Sequence, residues 1–144
     1  MEQENISFKE LSSGDTAAIV SYAQQLNPAK SAEELTGYMH EMFAFANYHC
    51  FGVYQAAKLI GITSGWITVR FYSGKQIEID NVIVGNEVRS AGVGKQFLAW
   101  IESWAKERSC KTVELNTYIQ NSRSHKFYFS NRYSILGFHF QKNI

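Results

Sequence analysis

Residues 77–108 read IEIDNVIVGNEVRSAGVGKQFLAWIESWAKER, and the rest of the chain is organised around them. Alternating apolar and polar residues predict a strand that ends at Val84, and residues 91–108 have the periodicity of an amphipathic helix. The first turn of a helix leaves about four backbone N–H groups without partners, at the positive end of the helix dipole. A strand, a glycine-containing turn and a helix start therefore predict an anion-binding site.

The turn carries residues suited to a bulky phosphate ligand. Gly92 and Gly94 lack Cβ atoms, so a ligand can approach the main chain closely. Arg89 and Lys95 add positive charge beside it. Together these four residues indicate a phosphate group as the anion.

Two common nucleotide-binding loops do not match this turn. A P-loop needs a glycine at the place of Arg89 and a serine or threonine at the place of Gln96. A dinucleotide fingerprint needs a third glycine where the chain has Phe97. The pattern that does match is Arg/Gln-x-x-Gly-x-Gly/Ala at a helix start, shortly after a strand that ends in valine.

Length and charge limit the function classes. A chain of 144 residues is expected to form a single domain, residues 1–144, with a core of its own. Lys and Arg number 14 and Asp and Glu number 13, and the resulting net charge of +1 favours neither nucleic acid nor a membrane surface as a partner.

The cysteines and the N-terminus indicate a cytoplasmic protein. Cys50 and Cys110 lie in apolar sequence without metal-ligand spacing, so we expect two reduced, buried thiols and no metal. The N-terminal residues are acidic and lack the basic and apolar regions of a signal peptide. No apolar run approaches the ~20 residues of a membrane helix.

The remaining elements give the predicted order βααβββαβαββ, an α+β domain. After a strand at residues 6–8, two helices are predicted, the first ending near Asn27 and the second capped by Ser31. Three strands at 49–55, 59–71 and 76–84 predict an antiparallel meander. The glycine-turn helix then leads to a parallel strand at 112–116, a helix at 121–131 and two terminal strands at 133–135 and 137–142.

A second motif makes a family resemblance specific. Residues 121–128 read NSRSHKFY, similar to the segment Asn-x-x-Ala-x-x-Phe-Tyr, with Ser124 where alanine is common. Together with the glycine turn and the element order, this motif resembles the GCN5-related N-acetyltransferase (GNAT) superfamily over essentially the whole chain. The resemblance implies a mixed sheet with helices on both faces and central parallel strands that splay apart.

The resemblance also implies acetyl-CoA as co-substrate. Backbone N–H groups of residues 90–95 would hold the CoA pyrophosphate with help from Arg89, and the main chain of residues 82–84 would pair with the pantetheine arm. Asn121 would contact the same arm, although a helix N-cap is the simpler role for it. The cofactor-binding residues implied are Val82, Ile83, Val84, Arg89, Ser90, Ala91, Gly92, Val93, Gly94, Lys95, Asn121 and Tyr128.

The implied reaction is direct acetyl transfer from the thioester to an amine of a small molecule or a protein. Tyr128 stands at the family's acid position, and a phenol with a reference pKa near 10 can protonate a departing thiolate. The base is left open between Glu78, Asp80 and a chain of waters. A catalytically silent acyl-CoA-binding or sensing domain is the alternative function, and both a monomer and a homodimer are open.

Overall fold

The computed structural model of the protein describes residues 5–80, 83–84 and 92–144. The strands are β1 Ile6–Leu11, β2 Tyr48–Gln55, β3 Lys58–Arg70, β4 Gly74–Ile79, β5 Ile83–Val84 and β6 Thr112–Leu115. The helices are α1 Thr16–Leu26, α2 Ala32–Phe43, α3 Val93–Glu107 and α4 Ser122–Ser130, with a 3₁₀ turn at Ser13–Asp15. The mixed α+β architecture is as predicted.

Local signals in the sequence fix the helix ends. Helix α1 ends before Asn27, which precedes the proline that cannot continue it. The Ser31 side chain accepts a hydrogen bond from the Glu34 N–H (3.1 Å) at the start of α2. Both predicted boundaries are confirmed.

The sheet has the order β1-β2-β3-β4-β6. Strands β1 to β4 pair antiparallel in the predicted meander, and β6 pairs parallel to β4 with Ile77 opposite Val113. The parallel pairing follows from the helix, α3, that joins the two strands.

Helices cover both faces of the sheet. Alternate residues of each strand point to opposite faces, so both faces carry apolar side chains that the helices bury. On one face, Phe51 and Ile77 are fully buried against Phe97 and Ile101 of α3. On the other face, Cys50 and Ile62 pack in a second cluster with residues of α1 and α2. Residues of the candidate site lie on both faces of the sheet.

One extra residue interrupts the strand that the sequence predicted as continuous from 76 to 84. From Ile79 to Ile83 the chain advances four positions, while their partners on β3, Gly65 and Ile62, are three positions apart. This register change is a β-bulge. The register of pairing with β3 therefore slips by one residue between β4 and β5, so the regular alternation does not continue unbroken from 76 to 84.

The sheet also separates at this point, as the resemblance implied. Pairing of β4 with β6 reaches Ile79 and Leu115. Beyond it, β5 pairs with β3, and among the described residues it has no partner on the side of β6. The two central strands thus part after the bulge.

The predicted terminal strands at 133–135 and 137–142 are wrong for this structure. Residues 133–144 contain no strand, and Phe138 and Phe140 expose 86% and 90% of their surface. Their alternation with polar residues is a genuine strand pattern. A strand also needs a partner edge, however, and the segment makes no sheet pairing with another described residue.

Candidate active site

Helix α3 begins at Val93, directly after the glycine turn and two residues later than predicted. Gly92 is its N-cap, with a left-handed φ of 76° that disfavours any residue with a Cβ. The first intrahelical bond runs from the Gln96 N–H to the Gly92 carbonyl (3.2 Å). The N–H groups of Val93, Gly94 and Lys95 precede it and have no intrahelical acceptor.

These three N–H groups form the described part of the predicted anion site. The Val93 side chain is buried in the core and anchors the turn, whereas Lys95 is exposed to solvent. A Cβ at Gly94 would lie 3.6 Å from the Phe127 ring, an ordinary contact, so α3 starts directly beside α4. The two sequence motifs are therefore neighbours in space.

The rest of the predicted cofactor loop can be followed only in part. Val82, Arg89, Ser90 and Ala91 lie outside the described residues. The backbone of Ile83 and Val84 pairs with Ile62 and Gly61 of β3.

Glu78, one candidate base, is held by two donors. Its Oε1 accepts a hydrogen bond from Asn116 Nδ2 (3.0 Å), and its Oε2 lies 3.7 Å from a guanidinium nitrogen of Arg70. Through these two contacts the carboxylate ties β4 to its neighbours β3 and β6. These contacts suit a structural role.

Asp80, the other candidate base, follows the last residue of β4. Its N–H donates to the Ser64 carbonyl (2.7 Å), and its carboxylate accepts from Ser64 Oγ (3.1 Å). Although the residue as a whole is exposed, its carboxylate lies among pocket side chains, and this burial raises its pKa. The Ser64 hydrogen bond opposes the rise, and the charge of Glu78 adds to it.

Asp80 lines a pocket of about 190 Å³ between the sheet and helices α1 and α2. The apolar lining residues are Ile19, Ala23, Leu26, Met39, Met42 and Ile62, and the polar ones are Asn27, Tyr48, Cys50, Thr63, Ser64 and Asp80. Burial raises the pKa of the Cys50 thiol to about 12 and also raises that of the Tyr48 phenol, so both stay neutral at ordinary pH. Among the described lining residues, Asp80 is the group that can carry charge.

Tyr128 lies on helix α4, half-buried against the core on the α3 face of the sheet. Its ring makes edge contacts with Phe127 and Tyr133, at centroid distances of 5.2 and 5.7 Å. Burial raises the pKa of its phenol to about 12, so the hydroxyl keeps its proton at neutral pH. That hydroxyl makes no hydrogen bond to another described residue, which leaves it available to a ligand.

Asn121 caps α4, as the simpler interpretation predicted. Its Oδ1 accepts a hydrogen bond from the Ser124 N–H (3.2 Å). His125 donates from its Nε2 to the Tyr118 carbonyl (2.9 Å) and so fixes the loop before the helix. The Nδ2 group of Asn121 has no partner among the described residues.

The candidate acid and base lie on opposite faces of the sheet. Tyr128 packs on the face covered by α3, whereas Asp80 opens into the pocket under α1 and α2. The gap beyond Ile79 and Leu115, where strand pairing stops, lies between these faces. A substrate that reaches both groups must therefore enter this gap.

Sequence reasoning missed Ser64 and Asn116, the partners of the two carboxylates. The β3–β4 turn is centred on Tyr72. Ser64 and Asp80 are each eight residues from Tyr72, so they lie opposite each other on the two strands. The predicted strands at 59–71 and 76–84 place the turn later in the chain and would therefore pair different residues. Counting the pairs of the hairpin outward from the correct turn would have predicted that Ser64 contacts Asp80.

The described part of the chain shows no signal for a metal site or for a membrane span. It contains no group of three His, Cys, Asp or Glu side chains that could hold a metal ion. None of its helices combines the length and the apolar character needed to span a membrane.

Several known proteins with a similar sequence or a similar fold are named as acetyltransferases. The aminoalkylphosphonate N-acetyltransferase of Salmonella typhimurium is 34% identical over 65 residues, which are 45% of this chain and only 42% of that protein. The aminoglycoside N-acetyltransferase AAC(6')-Iy in complex with CoA superposes with a TM-score of 0.85 at 15% identity, over 97% of this chain and 95% of that one. Ribosomal-protein-alanine N-acetyltransferase from Brucella melitensis biovar Abortus 2308 gives 0.83 at 15% identity, over 98% and 100%.

The family model for acetyltransferases of the GNAT family matches residues 19–130, which include both motifs, Asp80 and Tyr128. This match extends over most of the 144 residues. The chain therefore belongs to the acetyltransferase (GNAT) family.

Proposed function

We propose that the protein transfers an acetyl group directly from acetyl-CoA to the primary amine of a small molecule. The observation that carries this proposal is the position of Asp80. Its carboxylate lies in a pocket of about 190 Å³, at the point where the central strands part, with a raised pKa. A base and an acceptor pocket thus coincide.

The cofactor side of the proposal rests on the start of α3. The free N–H groups of Val93, Gly94 and Lys95 suit a pyrophosphate, and the helix dipole adds to their attraction. The main chain of residues 82–84, together with Arg89, Ser90 and Ala91, would complete the cofactor site. Asn121 would donate from its Nδ2 group to the pantetheine arm.

The acid and the base then act on the same tetrahedral intermediate. The amine nitrogen attacks the thioester carbonyl carbon, the carbon–sulfur bond breaks, and Asp80 takes the proton that the nitrogen loses. Tyr128 gives its phenol proton to the departing CoA thiolate. Its raised pKa keeps that proton in place until the thiolate, a stronger base than the thioester sulfur, is formed.

Asp80 fits the role of base better than Glu78 does. Burial raises the pKa of Asp80, which makes it a better proton acceptor, and its side-chain partners, the Ser64 hydroxyl and Trp66, are neutral. Glu78 is already occupied, since it accepts a hydrogen bond from Asn116 and lies beside the cation of Arg70. We therefore assign the base to Asp80 and a supporting role to Glu78.

The pocket favours a small amine with an apolar body. Six of its lining residues are apolar, its ionisable carboxylate would attract an ammonium group, and no lysine or arginine is among its described lining residues. An acceptor with a second, anionic group, such as an aminoalkylphosphonate, would find no opposite charge there. An alkyl or aryl amine that carries no anionic group is the better candidate.

The environment of the reaction follows from composition. The free thiols of Cys50 and Cys110 suit a reducing compartment and support a cytoplasmic location. The net charge of +1 gives no general attraction to nucleic acid or to a membrane.

The test is to mix the protein with acetyl-CoA and a panel of amines and to follow the release of free CoA thiol. The panel contains alkyl and aryl amines, an aminoglycoside, an aminoalkylphosphonate and a peptide with a free N-terminus. We expect turnover with the small apolar amines. Binding of acetyl-CoA by calorimetry without turnover on any amine would instead support the acyl-CoA-sensing alternative.

A matched pair of variants tests the assignment of the base. Asp80→Asn removes the proton acceptor but keeps an oxygen for Ser64, and it should lower kcat by roughly 10²–10⁴-fold. Glu78→Gln makes the same chemical change two residues away and should lower kcat far less. Equal losses in the two variants, or a fully active Asp80→Asn variant, would refute the assignment.

A further inference from the structure

Three aromatic side chains run outward from the pocket that Asp80 lines, and we call them the aromatic wall (Phe45, Tyr48 and Trp66). Tyr48 lines the pocket and is 6% exposed, Trp66 is half-buried, and Phe45 exposes 58% of its surface. The ring centroids of Tyr48 and Trp66 are 4.8 Å apart, and those of Phe45 and Trp66 are 5.6 Å apart. The wall therefore continues from the pocket to the solvent.

Trp66 borders the proposed base, because strand pairing places both side chains on one face of the sheet. The Asp80 N–H donates to the Ser64 carbonyl (2.7 Å), and Trp66 is paired with Glu78 one step further toward the hairpin turn. Trp66 and Asp80 are thus diagonal neighbours, at a separation that an aromatic side chain can span. The indole N–H donates to the Asp80 carboxylate and opposes the rise of its pKa. An amine that reaches Asp80 must lie beside this ring.

The exposed ring of Phe45 projects from a fixed turn after helix α2. The Phe45 N–H donates to the Met42 carbonyl (3.0 Å), and its carbonyl accepts from the Tyr48 N–H (3.2 Å). The turn is also tied to β3, since the Ile67 N–H donates to the Asn47 carbonyl (2.9 Å) and Asn47 Nδ2 donates to the Ile67 carbonyl (3.1 Å). A ligand that packs on a ring held in this way has little freedom to remove from the protein.

The charged side chains near the wall already have partners. Glu78 accepts from Asn116 (3.0 Å) and lies 3.7 Å from Arg70, and Glu114 accepts from the Tyr72 hydroxyl at 2.7 and 2.9 Å. A second charged group on the acceptor would have to displace one of these contacts. The wall therefore suits an uncharged ring.

We infer that the acceptor is an arylalkylamine, in which a short alkyl link joins the reacting nitrogen at Asp80 to an aromatic ring that packs on Trp66 and Phe45. This inference rests on the proposed function and narrows it from small amines in general to one class. A substrate ring would extend the aromatic pairs of the wall, and such pairs strengthen binding by roughly 2–10-fold beyond the effect of apolar burial. Trp66 and Phe45 are then the residues that determine specificity.

Paired amines that differ only in the ring test the inference. Benzylamine, 2-phenylethylamine and 3-phenylpropylamine are compared with their cyclohexyl counterparts, at saturating acetyl-CoA and with release of CoA thiol as the readout. We expect the KM of the aryl member to be roughly 2–10-fold lower in the best pair. The comparison of this ratio between natural and variant proteins removes the difference in basicity between the two amines.

Variants of the wall locate the preference. The KM ratio should fall towards one in Trp66→Leu and in Phe45→Leu, whereas Trp66→Phe keeps a ring and should retain most of it. The matched control is Phe71→Leu, which makes the same change at a side chain that is 114% exposed in the β3–β4 turn, and it should leave the ratio unchanged. Phe45→Leu alters an exposed side chain, so it decides the question even where circular dichroism shows that Trp66→Leu has lost its fold.

Calorimetry separates a failure of this inference from a failure of the proposed function. The same amines are titrated into protein loaded with CoA, which cannot acetylate them. Tighter binding of the aryl amines that is lost in Phe45→Leu supports the aryl site, and an absence of turnover with acetyl-CoA would then count against the proposed function alone. Turnover with equal KM and equal affinity in every pair would overturn the inference and leave the proposed function standing. An aryl preference that persists unchanged in Phe45→Leu and in a folded Trp66→Leu would also overturn it, because the ring would then bind elsewhere.

Discussion

Gly92 and Gly94 differ sharply in the structure, although the sequence alone makes them look equivalent. Gly92 has a φ of 76°, and a Cβ added there would meet nothing within 4 Å. Gly94 is helical, and its Cβ would touch the Phe127 ring at 3.6 Å. Replacement of each glycine by alanine should therefore change stability in opposite directions.

The size of each effect follows from its cause. Gly92→Ala forces a Cβ into left-handed backbone, which costs about 1–2 kcal/mol, with no steric clash to add. In a chain of this size that lowers Tm by about 2–8 °C. Gly94→Ala instead removes backbone freedom from the unfolded chain at a compatible helical position and should raise the free energy of unfolding by about 0.4–1 kcal/mol.

Urea unfolding of the two variants, read by tryptophan fluorescence, measures both changes. Calorimetric titration with CoA adds a second readout, because a Cβ at either position crowds the approach to the N–H groups of Val93 and Lys95. We expect weaker CoA binding in both variants despite their opposite effects on stability. If Gly92→Ala were as stable as the natural protein, or if both substitutions moved stability in one direction, the conformational reasoning would be refuted.

Four further predictions concern ionisable groups. Tyr128→Phe should lower kcat while CoA affinity stays nearly unchanged, and full activity would remove Tyr128 from the mechanism. Ser64→Ala removes the hydrogen bond that opposes the raised pKa of Asp80, so the acidic limb of the kcat/KM profile should move to higher pH; an unmoved limb would argue against Asp80 as the base. Because folding raises the pKa of Asp80, ionisation of this carboxyl lowers the free energy of unfolding as the pH rises through the pKa of the folded protein. Asp80→Asn should therefore be at least as stable as the natural protein at neutral pH and should lose this advantage in acid. Denaturant titrations at several pH values would measure both effects. Cys50 is 1% exposed with its pKa raised to about 12, so a maleimide should label it only after unfolding, and rapid labelling of the native protein by mass spectrometry would contradict its burial.

Local patterns made the starts of α3 and α4 predictable. The helix after the glycine turn was expected because Phe97, Ile101 and Trp104 recur at helical spacing, and all three are buried on one side of α3. The start of α4 at Asn121 was expected from the amphipathic segment that follows it, with a helix cap as the alternative to the predicted cofactor contact. Both signals depend on residues within a few positions of each other.

Pairing between distant residues was not predictable in the same way. The contact of Ser64 with Asp80 depends on a turn centred on Tyr72, and a shift of one residue in that turn changes every cross-strand pair. The last segment of the chain, residues 133–144, is a stronger case. Alternation around Phe138 and Phe140 predicted strands that the structure does not form, because alternation carries no information on whether an edge is available for pairing.

The extra residue between Ile79 and Ile83 explains why the chemistry lies at the sequence stretch that organises the fold. Without it, β4 and β5 would form one strand, and pairing with β6 could continue past Leu115. With it, the parallel ladder stops directly before Asp80, whose carboxylate then lies at the rim of the pocket, hydrogen-bonded to Ser64. The same interruption opens the sheet between the faces that hold Asp80 and Tyr128. Under the proposed function, one inserted residue thus gives both the gap through which the thioester would pass and the position of the proposed base. Deletion of one residue to repair the bulge should therefore abolish activity more completely than any single side-chain change.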